Sequence, residues 1–308
     1  MKKWIEEYIS LLSQNLEKEA TELKQQHLPN FFYKYRKLNE KTLNCLKLSS
    51  VWMSPADNLN DPFESALRFN DKELFRGFLK RENFSKDFRM HYNCEISQKE
   101  INDIINNHDP ELCFQQICQG KNIDRDFSLG KDKREEILKS FIETRKKEVR
   151  ICSFSERNDS ILMWSHYADE HKGISIEYDF KDNEEVCKYI EPIYYTDQLF
   201  DFTPYFGKPN NIQAIRISAI SKVKDWQYEK EWRLIFLLIK ENPINGHYKI
   251  SNPVAIYLGA RYNKNTLNNK EILIEIFEFA KNLNIPIYKM GIHKSQYKIV
   301  PIQLNDIK

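Results

Sequence analysis

The alternation of apolar and polar positions divides the chain into a β-rich core interrupted by one strongly helical block. Residues 3–26 place Trp4, Ile5, Tyr8, Ile9, Leu12 and Leu16 close to the 3.6-residue period of one amphipathic helix, which Pro29 ends. FFYKYR at 31–36 reads as a strand, Asn39 as the cap of a short helix through Leu43 and Leu46, and SSVWMS as a second strand. From about 71 to 147 the pattern turns charged and helical, as in DKELFRGFLKRENF and KREEILKSFIETRKKE.

Strands return at 149–155, 173–180, about 231–239, 254–258, 286–290 and 297–303. A helix in NTLNNKEILIEIFEFAKNLN, capped by Asn265 or Thr266, crosses between the later ones. There is no internal repeat and no low-complexity linker, so the pattern predicts a single α+β domain over 1–308, with an N-terminal helix and a helical insertion at about 71–147.

Composition narrows the classes. The 308 residues are 41% hydrophobic, and 47 basic side chains stand against 45 acidic ones, so the net +2 creates no field that by itself implies nucleic acid. No stretch approaches the roughly 18 apolar residues of a membrane span, and MKKWIEEYISLLSQNLEKEA mixes acids into its apolar positions. A cytoplasmic protein with no membrane partner is expected. The six cysteines form no CxxC pair and read as free thiols, with neither a disulfide framework nor a zinc module.

Candidate chemistry concentrates in two stretches. In ICSFSERNDSILMWSHYADEHKGISIEYDF, residues 151–180, strand alternation puts Ile151, Ser153 and Ser155 on one face. Asp159 is placed to cap a helix through about Ala168, whose core stripe is Ile161, Trp164 and Ala168, with His166 on the far side and Tyr167 at the boundary. Either Trp164 simply anchors this helix and His166 is solvated, or Ser165, His166 and Tyr167 stand at the mouth of a pocket. His166 and His171 are five apart and do not share a helical face as a metal pair would, and there is no GxSxG elbow.

The second stretch is KVKDWQYEKEWRLIFLLIK. If 229–236 is extended, Glu229, Glu231 and Arg233 share one face and Trp232, Leu234 and Phe236 the other, which is either a site or a surface ion cluster. In the first strand Lys34 and Arg36 share a face, opposite Tyr33 and Tyr35.

The segments FYKYRKLNEKTLNCLKLSSVWMSPADNLNDPFE, CSFSERNDSILMWSHYADEHKGISIEYD, VKDWQYEKEWRLIF and AIYLGARYN together resemble the bacterial domain-of-unknown-function family numbered 2971. That resemblance implies a setting in bacterial antiphage defence. More distantly, the chain resembles ADP-ribosyltransferases, which implies a split mixed or antiparallel β core and a toxin or effector that cleaves the nicotinamide–ribose bond of NAD. On that resemblance Glu231 stabilises the oxocarbenium-like transition state, Glu229 orients the acceptor and Arg36, beside Tyr35, grips the pyrophosphate. Ser153, which shares the second motif with Ser155, holds the ribose or the rim of the site, Tyr167 or Trp164 stacks on nicotinamide, and His166 stands at the mouth. The acceptor is a protein or a nucleic acid, and a partner or antitoxin protein fits the same setting.

Two other classes stay open. One is a metal-dependent nuclease using Mg²⁺ on Asp61, Glu64, Glu177, Glu229 and Glu231 with Lys230 nearby. The other is a non-catalytic ligand-sensing module.

Overall fold

The structure is a computed structural model that describes residues 3–123, 128–208, 211–237, 246–262 and 270–304. The chain forms two compact units, one of Met1–Ser65, Arg145–Gln198 and Ile215–Lys308 and the other of Ala66–Thr144 and Leu199–Ala214. Among the described residues no helix is long and apolar enough to cross a membrane.

The first unit is mixed α+β. Its main sheet runs, edge to edge, through Ile299–Gln303, Ile287–Ile292, Ala255–Leu258, Ile174–Tyr178, Phe32–Arg36, Val149–Ser155, Glu231–Leu237 and Ile190–Pro192. Neighbours are antiparallel except Ala255–Leu258 and Ile287–Ile292, which run parallel. One face carries the larger core, where Phe32, Phe154, Ile176, Trp232 and Ile256 meet Leu43 and Leu46 of helix Glu40–Lys47 and Ile276 of helix Lys270–Asn282. The opposite face packs Tyr35, Tyr257 and Met290 against Met163 and Trp164.

The sheet is split near its middle. Phe32–Arg36 pairs with Ile174–Tyr178 along its whole length, yet on its other side it meets Val149–Ser155 only at Tyr33 opposite Ser155. Farther along, Ser54–Pro55 takes over as partner of Val149–Ser155, at Ile151 and Arg150. Between these pairings the Lys34 ammonium donates to the Ser153 carbonyl at 2.5 Å, so a side chain satisfies a backbone acceptor that a continuous ladder would have used.

Helix Ile161–Tyr167 closes one side of the split. Ser160, not Asp159, caps it by accepting from the Met163 amide, while Asp159 is drawn off into an ion pair with Arg157. Trp164 is fully buried, stands edge-on to Tyr35 at 5.3 Å and donates from its indole to the Asn158 carbonyl at 2.6 Å. The helix ends in three successive left-handed residues, Asp169, Glu170 and His171, with φ of 48°, 54° and 69°. The turn is tied by amides of Glu170, His171 and Gly173 to carbonyls of Ser165, Trp164 and Ala168. It then locks onto Gly259, whose amide bonds the Gly173 carbonyl at 2.9 Å.

Neither glycine tolerates a side chain. A Cβ on Gly173 would collide with the backbone of Arg36 and Ala168, and one on Gly259 with the backbone of His171. Gly173→Ala or Gly259→Ala is therefore expected to destabilise the protein by about 1–3 kcal/mol, read as a lowered urea midpoint. An unchanged midpoint would mean the turn relaxes freely.

Several elements depart from the sequence pattern. The single helix expected over 3–26 is two, Lys3–Ser13 and Glu17–Gln25, broken at Asn15 with φ of 60°. SSVWMS forms two short strands in different sheets, Ser50–Trp52 pairing with His247–Lys249 and Ser54–Pro55 with the main sheet. Asn39 does cap helix Glu40–Lys47, accepting from the Thr42 amide. The proposed caps Asn265 and Thr266 lie outside the described residues.

The N-terminal helices dock on the strand at one edge of the main sheet. Lys24, fully buried, donates to the carbonyls of Lys188 and Ile190 at 3.0 and 2.8 Å, and Tyr8 and Arg216 both engage the Glu191 carboxylate. At the opposite edge, Ile299–Gln303 carries Pro301.

In the second unit, Leu79, Phe84, Phe88, Ile101, Ile104 and Phe114 form the core of helices Asp71–Leu79, Phe84–Tyr92, Gln98–Asn106 and Pro110–Gly120. Three of their starts are capped by side chains: Asn70 and Asp109 accept from backbone amides, and Ser97 forms a reciprocal capping box with Glu100. Leu67–Arg68 pairs in parallel with Phe200–Asp201.

Candidate functional site

The split in the sheet opens a slot of about 180 Å³, with Ser153, Glu229, Glu231 and Arg233 on one wall and Tyr35, Arg36 and Tyr167 on the other. It sits beside a broader bowl of about 660 Å³, and Tyr35, Arg36, Trp52, Ser54 and Tyr167 line both. Register explains the slot's walls. Glu231 lies opposite Ser155 and Arg233 opposite Ser153, so these side chains share the face that Tyr33 and Tyr35 occupy. Lys34 and Arg36 project from the other face and reach the slot through the gap between strands.

At its floor three buried carboxylates surround two buried cations. Arg233 binds Glu231 through Nε at 2.7 Å and Nη2 at 3.2 Å, grips Glu64 with both terminal nitrogens, one at 2.8 Å, and donates to the Ala219 carbonyl at 2.6 Å. Lys222 bridges the pair, 2.6 Å from Glu229 Oε2 and 2.9 Å from Glu231 Oε2. Tyr167 donates to Glu229 Oε1 at 2.7 Å and accepts from Asn60 at 3.1 Å.

Glu229 reaches this arrangement by an unexpected route. It is not on the strand but closes the 3₁₀ turn Lys224–Glu229, and Lys230, with φ of 47°, reverses the chain before Glu231 starts the strand. Ser155 fixes the turn by donating to the Glu229 carbonyl at 2.6 Å, and the Glu231 amide donates to the Tyr195 hydroxyl at 2.9 Å.

The two carboxyls behave oppositely. Burial raises Glu229, the negative charge of Glu231 raises it further, and Lys222 only partly offsets this. Burial also acts to raise Glu231, but Arg233 and Lys222 outweigh it and hold the group well below the usual carboxylate range. Burial raises Glu64 despite Arg233. Lys222, which burial would lower, is raised chiefly by Glu231. The acidities of the two carboxyls are thus driven apart, Glu231 toward the ionised form and Glu229, two residues away, toward the protonated one.

Of the residues singled out in the sequence, Glu229, Glu231, Arg36, Tyr35, Ser153 and Tyr167 line the slot. Three do not. Ser155 is buried beneath the 3₁₀ turn, Trp164 is buried behind Tyr35, and His166 lies in the bowl. Asp61 is buried, with one oxygen accepting from the Phe63 amide, and Glu177 accepts from Tyr257 in a separate tyrosine cluster.

Among the described residues no group of three His, Cys, Asp or Glu is arranged to hold a metal ion. The space between Glu64, Glu229 and Glu231 is taken by the Lys222 ammonium and the Arg233 guanidinium. The sequence pattern assigns Lys222 no role, although it opens the stretch KVKDWQYEKEWRLIFLLIK, and gives no sign of the partnership of Glu64 with Arg233, which stand 169 positions apart.

Residues 163–234 match the sequence model of the family described as "Protein of unknown function (DUF2971)". The matched stretch contains Tyr167, Lys222, Glu229, Glu231 and Arg233, most of the slot's charged floor. No curated protein and no solved structure matched the chain.

Proposed function

We propose that the slot cleaves the nicotinamide–ribose bond of NAD and passes the ADP-ribosyl group to an acceptor, as an ADP-ribosyltransferase-like effector of bacterial antiphage defence. The observation that carries this reading is the Glu229–Glu231 pair, bridged by one ammonium, with the two acidities driven apart in a slot that also holds Ser153, Tyr167 and Arg36. The split between Phe32–Arg36 and Val149–Ser155 supports assigning the core to the split-sheet architecture of those enzymes.

The chemistry follows from the charges. As the C1′–N bond breaks, its electron pair leaves with nicotinamide and positive charge grows on the ribose. A carboxylate that stays ionised stabilises that charge, and Glu231 is held so by Arg233 and Lys222. The acceptor's nucleophilic atom forms the new bond to C1′ and its proton passes to Glu229, which Tyr167 orients.

The metal-dependent nuclease reading requires these acids to converge on an ion, and the two cations between them stand against it. The test is nicotinamide release from NAD by the purified protein, with cell lysate as a source of acceptors. Release without added magnesium supports transfer; release absent in a folded sample, with nucleic acid cut on adding magnesium, would assign the nuclease. Ligand binding without turnover would assign the sensing module.

The pH dependence is specified by the same pair. Glu229 accepts the acceptor's proton, so the rate of transfer to the acceptor is expected to rise with pH through a limb lying above the usual carboxylate range. Lys222 lowers Glu229, so Lys222→Met is expected to move that limb to still higher pH. A limb that stays in place in Lys222→Met would separate Glu229 from proton transfer.

A further inference from the structure

We propose that the bowl beside the slot is a binding site for a nucleoside diphosphate moiety, with its phosphates on Arg36, Lys37 and Lys41 and its base against Trp52. This deepens the preceding reading and rests on it only for the identity of the complete donor.

The bowl's charge is one-sided. The chain as a whole balances 47 basic against 45 acidic residues, yet among the described residues no aspartate or glutamate lines the bowl, while Arg36, Lys37 and Lys41 do. Lys37 and Lys41 are exposed, and Arg36 makes no ion pair with any described residue, so its planar donor fork is free for a phosphate. Carboxylates are confined to the slot, where the reacting sugar would sit. The anion-attracting wall lies immediately outside it, and the shared walls make the two one continuous path.

The aromatic element is built with similar specificity. Trp52 leaves 45% of its surface open although it sits at the junction of slot and bowl. Its ring is fixed from behind. His247 stands edge-on to it at 5.2 Å and is itself 3.0 Å from the Ser50 hydroxyl, on a strand paired in register with Trp52. Gly246, with φ of +84°, passes so close that a Cβ there would overlap the indole. A rigid, half-open indole beside unpaired cations matches the two chemical halves of a nucleotide, a planar base and a polyanion. The bowl's 660 Å³ lies within the usual range for small-molecule sites.

The experiment is calorimetric titration of the full chain at low salt with ADP, with adenosine and with a 5′-phosphorylated single-stranded oligonucleotide. ADP is expected to bind at least about tenfold more tightly than adenosine, and to lose about tenfold in Lys37→Gln/Lys41→Gln and in Trp52→Ala. Circular dichroism of each variant checks its fold, and the doubly substituted variant changes only exposed side chains. Absence of ADP binding, equal affinity for adenosine, or an affinity that neither variant changes would overturn the proposal. So would an oligonucleotide that binds more tightly than ADP and is not displaced by it, which would reassign the wall to nucleic acid.

The two readings fail separately. ADP binding with no nicotinamide release removes the catalytic reading and leaves the bowl. Release whose KM for NAD is unchanged in Lys37→Gln/Lys41→Gln removes the bowl and leaves the slot.

Discussion

Glu231→Gln is expected to lower nicotinamide release by at least about 100-fold, with KM for NAD changed far less than kcat. Glutamine keeps the size and some of the hydrogen bonds to Arg233 and Lys222, but removes the charge that opposes the developing oxocarbenium. Because that charge matters only as the C1′–N bond stretches, its loss falls on kcat. Glu229→Gln is expected to behave differently. It spares bond breaking and slows transfer, so release to water persists while modification of the acceptor declines. If Glu231→Gln retained full release in a correctly folded sample, the assignment of the carboxylates would be wrong.

The second large effect is on stability. Arg233 is fully buried and serves Glu231, Glu64 and the Ala219 carbonyl together, and Arg233→Leu leaves two carboxylates in the interior without their guanidinium. The expected cost is about 3–5 kcal/mol, measured by urea unfolding. Arg233→Lys is not expected to rescue, since an ammonium cannot reproduce the two-nitrogen grip on Glu64. Adding Glu64→Leu to Arg233→Leu should recover part of the loss, because one unpaired charge disappears.

The sign of the pH dependence follows. Glu231 is depressed in the folded state, so the stability it contributes is present above the unfolded carboxylate value of about 4.3 and is lost as the pH falls below it. That acid dependence should largely vanish in Arg233→Leu. A loss below about 1 kcal/mol would mean that solvent reaches the cluster.

Much of the architecture was legible in short-range pattern. Strand periods located Phe32–Arg36, Val149–Ser155, Ile174–Tyr178 and Glu231–Leu237, and cap chemistry marked Asn39. Face parity also separated Tyr33 and Tyr35 from Lys34 and Arg36 correctly. The Glu229–Glu231 pairing is subtler. Strand alternation predicted two carboxylates side by side, and they are, but through a left-handed Lys230 and a shared ammonium, not through a continuous strand.

What escaped were partnerships across sequence distance. Glu64 meets Arg233 from 169 positions away, and nothing local to LNDPFE announces it. Trp52 looked like any strand aromatic until Gly246 and His247 fixed it from behind. The break at Asn15 was hidden because the apolar period runs straight through it.

The two ends of the main sheet meet one hazard in different ways. A bare strand edge is a template on which other chains can assemble. At Ile299–Gln303, Pro301 removes a backbone donor and blunts the edge. At Ile190–Pro192 the protection is the N-terminal helix pair, with the Lys24 ammonium satisfying the Ile190 carbonyl that would otherwise invite a neighbour. Residues 3–25 line none of the slot, yet by covering this edge they are placed to block edge-to-edge assembly, and a form lacking them is expected to aggregate more readily in light scattering.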